Sequence, residues 1–330
     1  MPARTDRRAF VAAFGGAVAW SFTAKAQQSS VPTVGFLVSA SAAGYGAVMG
    51  PILKGLSNAG CVDGKNLKIE YRWADYHYDR LPALAKELAD RHVAVIFTTG
   101  SVVSAVAAKS VTSNIPIVFA NGSDPVKYGL VTSLNRPGGN ITGVTFYNSG
   151  LGPKRIELLR QLVPTATTVG LLLNPNNPNA EPDGAEIKQA GENVGVRIEF
   201  INASSESEID EAFSKIAQMH PDAVMVHIDA LFNAQLSKII ALAERSGVPT
   251  IFANHHAPIL GGLMAYGTDV DEMDRQAGVY IGKILKGAKP SDLPVLQPTK
   301  FDLIINLKTA KKLGLTVPLI MQMTADEVVE

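Results

Sequence analysis

Cysteine is all but missing from this chain of 330 residues. The single Cys61 forbids an intramolecular disulfide. It lies in Asn58-Ala59-Gly60-Cys61-Val62-Asp63-Gly64, a helix-ending turn with no histidine beside it to make a reactive thiolate. An excess of one charge is missing too, since 30 basic side chains face 30 acidic ones. Phosphate backbones need a concentrated basic surface, so nucleic acid is excluded as a partner. No helix-forming apolar run reaches the ~20 residues that span a bilayer, the stretch from about Ala9 to Phe22 falling short. Also absent are a Gly-x-Ser-x-Gly elbow, a Gly-Lys-Ser/Thr phosphate loop, a His-Glu-x-x-His pair and any cysteine pair. An enzyme needs such a constellation, so the expectation is a non-enzymatic protein without a cofactor, whose partner is a small molecule or another protein.

What is present begins with an export address. Arg7-Arg8-Ala9-Phe10 precedes the apolar stretch, and Ala24-Lys25-Ala26 supplies the small-x-small pattern of a cleavage site. Residues 1–26 therefore read as a signal peptide cut after Ala26, with the paired arginines pointing to the twin-arginine route. Cys61 is too distant from that site to carry a lipid. The mature protein is expected in the periplasm, unanchored, slightly acidic and monomeric.

From Pro32 onward short apolar runs alternate with amphipathic stretches, the rhythm of βαβ units around a parallel sheet. Strands are expected at Thr33–Val38, Leu67–Trp73, Val93–Thr98 and Ile115–Ala120, with helices near Gly46–Asn58, Arg80–Arg91 and Ser101–Ser110. Asn121–Thr145 breaks the rhythm with Asp124-Pro125, Arg136-Pro137-Gly138-Gly139 and Gly143, and is where a first crossing between lobes is expected. The alternation then resumes. Helices at Lys154–Leu162, Ala185–Val194, Glu206–Gln218 and Leu231–Ser246 interleave with strands at Thr168–Leu173, Arg197–Ile201, Ala223–His227 and Pro249–Ala253. A short strand Gly262–Tyr266, a long helix Asp269–Lys286, a linker Asp292–Pro298, a strand Lys300–Asn306 and a last helix Leu307–Leu313 complete the chain. The fold class is α/β, two doubly wound parallel lobes with a ligand cleft at the carboxyl ends of their strands.

Two clusters suggest metals and are better explained otherwise. Adjacent His255 and His256 on an extended segment point to opposite faces. Asp269, Asp271 and Asp274 stand where a helix begins and where carboxylates favour its dipole.

The blocks Asp124-Pro125-Val126, Gly129-Leu130-Val131, Ser133-Leu134, Arg136-Pro137-Gly138-Gly139-Asn140 and Thr142-Gly143-Val144 give the chain a family likeness. Lys154-Arg155-Ile156-Glu157-Leu158-Leu159, Asn174-Pro175-Asn176-Asn177-Pro178 and the run from Gly282 through Pro290 to Ala310 agree with it. Over residues 32–330 the sequence resembles the ABC-transporter substrate-binding proteins related to tryptophan and tyrosine importers. The resemblance implies a periplasmic-binding-protein fold of the class with three inter-lobe crossings. Residues 32–145 plus 267–292 would form lobe 1, and 146–266 plus 293–330 lobe 2. It also implies a partner permease in the inner membrane. The alternative is a sensor of the same fold that feeds a membrane receptor.

Loops after strands supply the candidate ligand residues. In the first lobe these are Ser39 and Ser41, Thr99-Gly100-Ser101, and Asn121 with Ser123. Gly100 permits close backbone approach, and Ser101 opens a helix whose N–H groups suit a carboxylate or are simply capped by its hydroxyl. In the second lobe Asn174 and Asn176 offer amides or plain turns. The resemblance places Asp229 at a family aspartate that pairs with the ligand ammonium, an N-cap being the alternative. Tyr45, Phe146, Tyr147, Phe232 and Tyr266 stand near the cleft loops as aromatic walls or core. The chain departs from the tryptophan-binding pattern at Ala230 and at Asn254-His255, which leaves an aromatic carboxylate among the compatible ligands beside an aromatic amino acid.

Overall fold

A strand covered on both faces is buried at nearly every position and leans apolar, and four strands in the first half of the chain are buried in this way. In the computed structural model, which describes residues 31–46 and 49–330, they are β1 (Thr33–Val38), β3 (Val95–Thr99), β4 (Ile117–Asn121) and β5 (Ile141–Thr145). With the more exposed edge strand β2 (Lys68–Trp73) they make an all-parallel sheet in the order β2-β1-β3-β4-β5. The signal peptide expected over residues 1–26 lies outside the described residues. No helix among those described is long and apolar enough to cross a membrane.

The short α1 (Ala42–Tyr45) follows β1. Phe36, Phe97 and Val118 on one face of the sheet pack beneath α2 (Met49–Asn58) and α10 (Val270–Leu285). Leu37, Ile96 and Phe119 pack on the other face under α3 (Leu81–Asp90) and α4 (Val102–Val111). Helices α2 and α10 approach so closely that a Cβ on Gly55 would stand 1.9 Å from the Arg275 carbonyl oxygen, and one on Gly278 2.1 Å from that of Ile52. These two glycines seat α10 on the first sheet, although it lies late in the chain.

The second sheet contains β6 (Thr168–Leu173), β7 (Arg197–Asn202), β8 (Ala223–Val226), β9 (Thr250–Phe252), β10 (Met264–Gly267), β11 (Asp302–Asn306) and β12 (Glu327–Val329), in the order β12-β11-β10-β9-β8-β6-β7. One face is covered by α5 (Gly152–Leu162), α6 (Ala180–Asn193), α11 (Leu307–Lys312) and α12 (Leu319–Thr324). The other carries α7 (Glu206–Met219), α8 (Ala230–Ala234) and α9 (Leu236–Ser246).

The second sheet is mixed rather than purely parallel, because β11 runs antiparallel to β10 with Gly267 opposite Asp302. The chain re-enters this lobe at the end where β10 leaves it, so β11 has to run the other way. The Pro/Gly-rich segment 121–145 holds a strand, β5, so the first crossing begins only after Thr145. The return to the second lobe also comes later than Leu293. Leu296 donates to the Gly143 carbonyl at 3.0 Å and accepts from Thr145 N–H at 2.9 Å, extending the first sheet, and Val295 is buried in its core. The helix expected over Leu231–Ser246 is divided at Gln235, and the one expected over Gly46–Asn58 is described from Met49 onward. Helix α12 and strand β12 add to the elements expected at the carboxyl end.

Arg155, on α5, ties two of the crossings together. Its Nε donates to the Tyr266 carbonyl at 2.8 Å and its Nη1 to that of Asn148 at 3.1 Å. Burial pulls the guanidinium down to about 9, still a cation at neutral pH. Thr268 adds a hydroxyl bond of 2.6 Å to the Phe146 carbonyl. The connections between the lobes are thus held to each other by side chains.

Candidate ligand-binding cleft

A cavity of about 290 Å³ lies between the carboxyl ends of the two sheets. The first lobe contributes Gly100, Ser101, Asn121 and Ser123 from the ends of β3 and β4, the aromatic rings of Tyr45 and Phe146, and Val270 with Asp271 from α10. Gly100 has φ +87°, and a Cβ there would stand 2.4 Å from Ser39 Oγ. Glycine is required to turn the chain into α4 over that serine. Ser101 then caps α4, its Oγ accepting from Val103 N–H at 3.3 Å. The Asn121 side chain is fixed by its Oδ1, which accepts from Ser123 N–H at 3.0 Å. Its Nδ2, buried in the cleft wall, has no partner among the described residues. This wall therefore offers donors without a formal positive charge.

The second lobe presents a carboxylate. Asp229 is only 3% exposed and stands in the loop between β8 and α8. Its Oδ1 accepts from Leu231 N–H at 2.8 Å and from Asn174 Nδ2 at 3.1 Å, and its Oδ2 from Asn177 Nδ2 at 2.8 Å. The carboxylate also caps α8, so capping and site geometry coexist. Burial raises its pKa above the usual range, against the three hydrogen bonds and the nearby His227, which lower it. No lysine or arginine lines the cavity among the described residues. A desolvated carboxylate held by neutral donors lacks only a counter-charge.

Several contacts cross the cleft. Asn179, at the start of α6, donates from Nδ2 to Ser123 Oγ at 2.6 Å and accepts from the Tyr128 hydroxyl. Tyr78 reaches from the first lobe to donate to Asp229 Oδ2 at 3.5 Å. Tyr76, in left-handed conformation with φ 64°, packs against the cores of both lobes. His256 of the second lobe meets Asp271 of the first at 3.5 Å.

Of the residues picked from the sequence, Gly100, Ser101, Asn121, Ser123 and Asp229 line the cavity together, with Tyr45 and Phe146. Others stand behind it. Ser39 is fully buried beneath Gly100, Thr99 Oγ1 bonds the Tyr45 hydroxyl at 3.1 Å, and Asn174 orients Asp229. Ser41 and Asn176 line a separate groove beside Tyr76 and Gln235. Tyr266 turns away, because alternation along β10 sends Ala265 to one core and Tyr266 to the other, where it meets Phe301. Phe232 is core, and Tyr147 is 42% exposed outside the cavity. Asn177, Asn179, Asn233, Asn254, His256 and Asp271 line the cavity without having been anticipated. The asparagines after Leu173 carried a signal in Asn-x-Asn-Asn, but it also reads as turn chemistry. Of the acidic trio, Asp269 caps α10 through Glu272 N–H at 3.1 Å. Asp274 is wholly buried with neither oxygen bonded among the described residues, and burial raises its pKa well above the usual range.

The sequence pattern of the ABC transporter substrate binding protein family matches residues 33–329. The chain belongs to that family. A tyrosine-binding protein of Clostridioides difficile strain R20291 is 28% identical over 263 residues, covering 80% of this chain and 75% of its own. A Streptococcus pneumonia ABC domain in complex with L-Trp is 26% identical and matches with a TM-score of 0.79, over 91% of this substrate-binding protein and all of the other chain (100%). The ligand-free, open structure of a Clostridium difficile substrate-binding protein with adhesive properties is also 26% identical, covers 91% of this chain and 99% of its own, and gives 0.60. At equal identity and coverage, this substrate-binding protein superimposes better on the ligand-bound relative than on the open one. That agrees with the hydrogen bonds across its cleft.

Proposed function

We propose that this protein is the exported, periplasmic solute-binding component of an ABC importer, that it takes up an aromatic α-amino acid or a closely related acid in the inter-lobe cleft, and that it delivers it to a membrane permease without chemical change. The observation that carries the reading is Asp229, a buried carboxylate with neutral donors and, among the described residues, no lysine or arginine in the cavity wall. A ligand ammonium supplies the missing charge. The ligand carboxylate is received across the cleft by the Asn121 amide, beside the amino-terminal end of α4, whose dipole favours an anion. Tyr45 and Phe146 flank the apolar part of the ligand. Binding at both walls favours the closed form, the state a permease recognises in such a design. The signal read over residues 1–26 supplies export, and the relatives named for tyrosine and bound to L-Trp supply the aromatic class.

A thermal-shift screen of the purified protein against the amino acids and simple aromatic acids tests this reading. A ligand at a hundred times its Kd stabilises by ~2.7 kcal/mol. Shifts from tyrosine, tryptophan or phenylalanine are expected. Shifts confined to acids lacking an amine would replace the ligand class, and turnover of any bound compound would contradict the transport role.

A further inference from the structure

His256 lies in the loop after β9, in the second lobe, and Asp271 in the first turn of α10, which packs on the first sheet. His256 Nε2 is 3.5 Å from Asp271 Oδ1. Among the described residues no other ion pair joins the two lobes. The side chains are 41% and 52% exposed, so protons reach them from solvent, yet both line the cavity. The pair is also aimed. His255 Nδ1 lies 2.9 Å from the Thr268 carbonyl and anchors the loop, and the His255 ring packs edge-on against His256 at 4.1 Å. His256 N–H donates to Asn254 Oδ1 at 2.9 Å.

We propose that His256 and Asp271 are positioning residues that clasp the lobes across the cleft, so that the closed form holds its ligand more tightly when His256 is protonated. The groups facing His256 are Asp271 and Asp269 from α10 and His255 from its own loop. The hydrogen bond to Asp271 raises the His256 pKa above its ordinary value, with smaller help from the Asp271 and Asp269 charges and against burial, and His256 in turn lowers Asp271. Closure creates the contact, so closure takes up a proton. By linkage the contribution is fully present below the ordinary histidine value and is lost as pH rises through the raised value of the closed form. The buried Asp229 works in the opposite sense in acid, where its protonation removes the partner of a ligand ammonium. The clasp is therefore read on the neutral and alkaline side.

The affinity arm rests on the ligand reading above and uses L-tyrosine and L-tryptophan in calorimetric titrations from about pH 6 to about pH 8.5. The wild type is expected to bind about two- to fivefold more weakly at the upper end, the range of a partly exposed ion pair. His256→Gln and Asp271→Asn are expected to flatten that slope. A variant that loses affinity equally at every pH and keeps the wild-type slope overturns the clasp and makes the residue a direct ligand contact. If neither amino acid binds at any pH the ligand reading fails, and small-angle scattering of the free protein decides the clasp by itself. Compaction below about pH 6.5 that His256→Gln abolishes supports it, and a radius of gyration independent of pH contradicts it.

Discussion

The two walls of the cleft solve opposite electrostatic problems. The first-lobe wall gathers neutral donors, the α4 amino terminus behind Gly100 and the unpaired Asn121 amide. The second-lobe wall buries a full negative charge on Asp229 and surrounds it with asparagines. Each wall alone is unfinished. Around Asn121 the first has a donor without an acceptor, away from the half-exposed Asp271, and the second has charge in excess of counter-charge. Under the proposed function, a zwitterion placed between them completes both at once.

Breaking the second wall is expected to have the largest effect. Asp229→Asn keeps the shape of the site but removes the charge, and calorimetry should find amino-acid affinity lower by about 2–5 kcal/mol, thirtyfold or more, with an amine-free aromatic acid little affected. Damage to the first wall comes next. Gly100→Ala forces a side chain into a φ of +87° against Ser39, so denaturant unfolding should show a loss of about 1–3 kcal/mol along with weaker binding. Asn121→Leu removes the unpaired donor and should weaken binding of the amino acid and the amine-free acid alike, by about tenfold, which separates it from Asp229→Asn. The smallest effect is expected at the bridge between the walls. Tyr78→Phe removes a long hydrogen bond to Asp229 and should change affinity about two- to fivefold without altering ligand preference.

Asp274 sharpens the contrast by showing a buried carboxylate that no donor among the described residues supports. Its pKa is raised, so its folded form favours the proton, and the stability it contributes is present in acid and lost as pH rises through the folded-state value. Asp274→Asn should raise the melting temperature at pH 7 and change it little near pH 4, measured by calorimetry on both proteins.

The architecture was legible because strands covered on both faces carry apolar runs, such as Val95–Phe97 in β3. Strand β5 was hidden. Ile141–Thr145 is short, carries Gly143 and follows a Pro/Gly turn, and only pairing with β4 defines it. The walls were partly legible, because loops after strands are fixed by topology. Gly100, Ser101, Asn121, Ser123 and Asp229 followed from that rule. His256 and Asp271 did not, since their placement in the cleft depends on α10 crossing back to the first lobe and on how the lobes meet. Tyr266 misled for the complementary reason. Proximity to the cleft in sequence says nothing about which face of β10 a ring occupies.

The central claim is that the two ends of one zwitterion are divided between the lobes. Titration of the protein with L-tyrosine, with its deaminated acid and with tyramine tests it directly. The account predicts that both truncated compounds bind far more weakly than the amino acid, and that Asp229→Asn selectively abolishes the advantage of the amino acid over the deaminated acid. Equal affinity for L-tyrosine and the deaminated acid would contradict it, because Asp229 would then hold no ammonium.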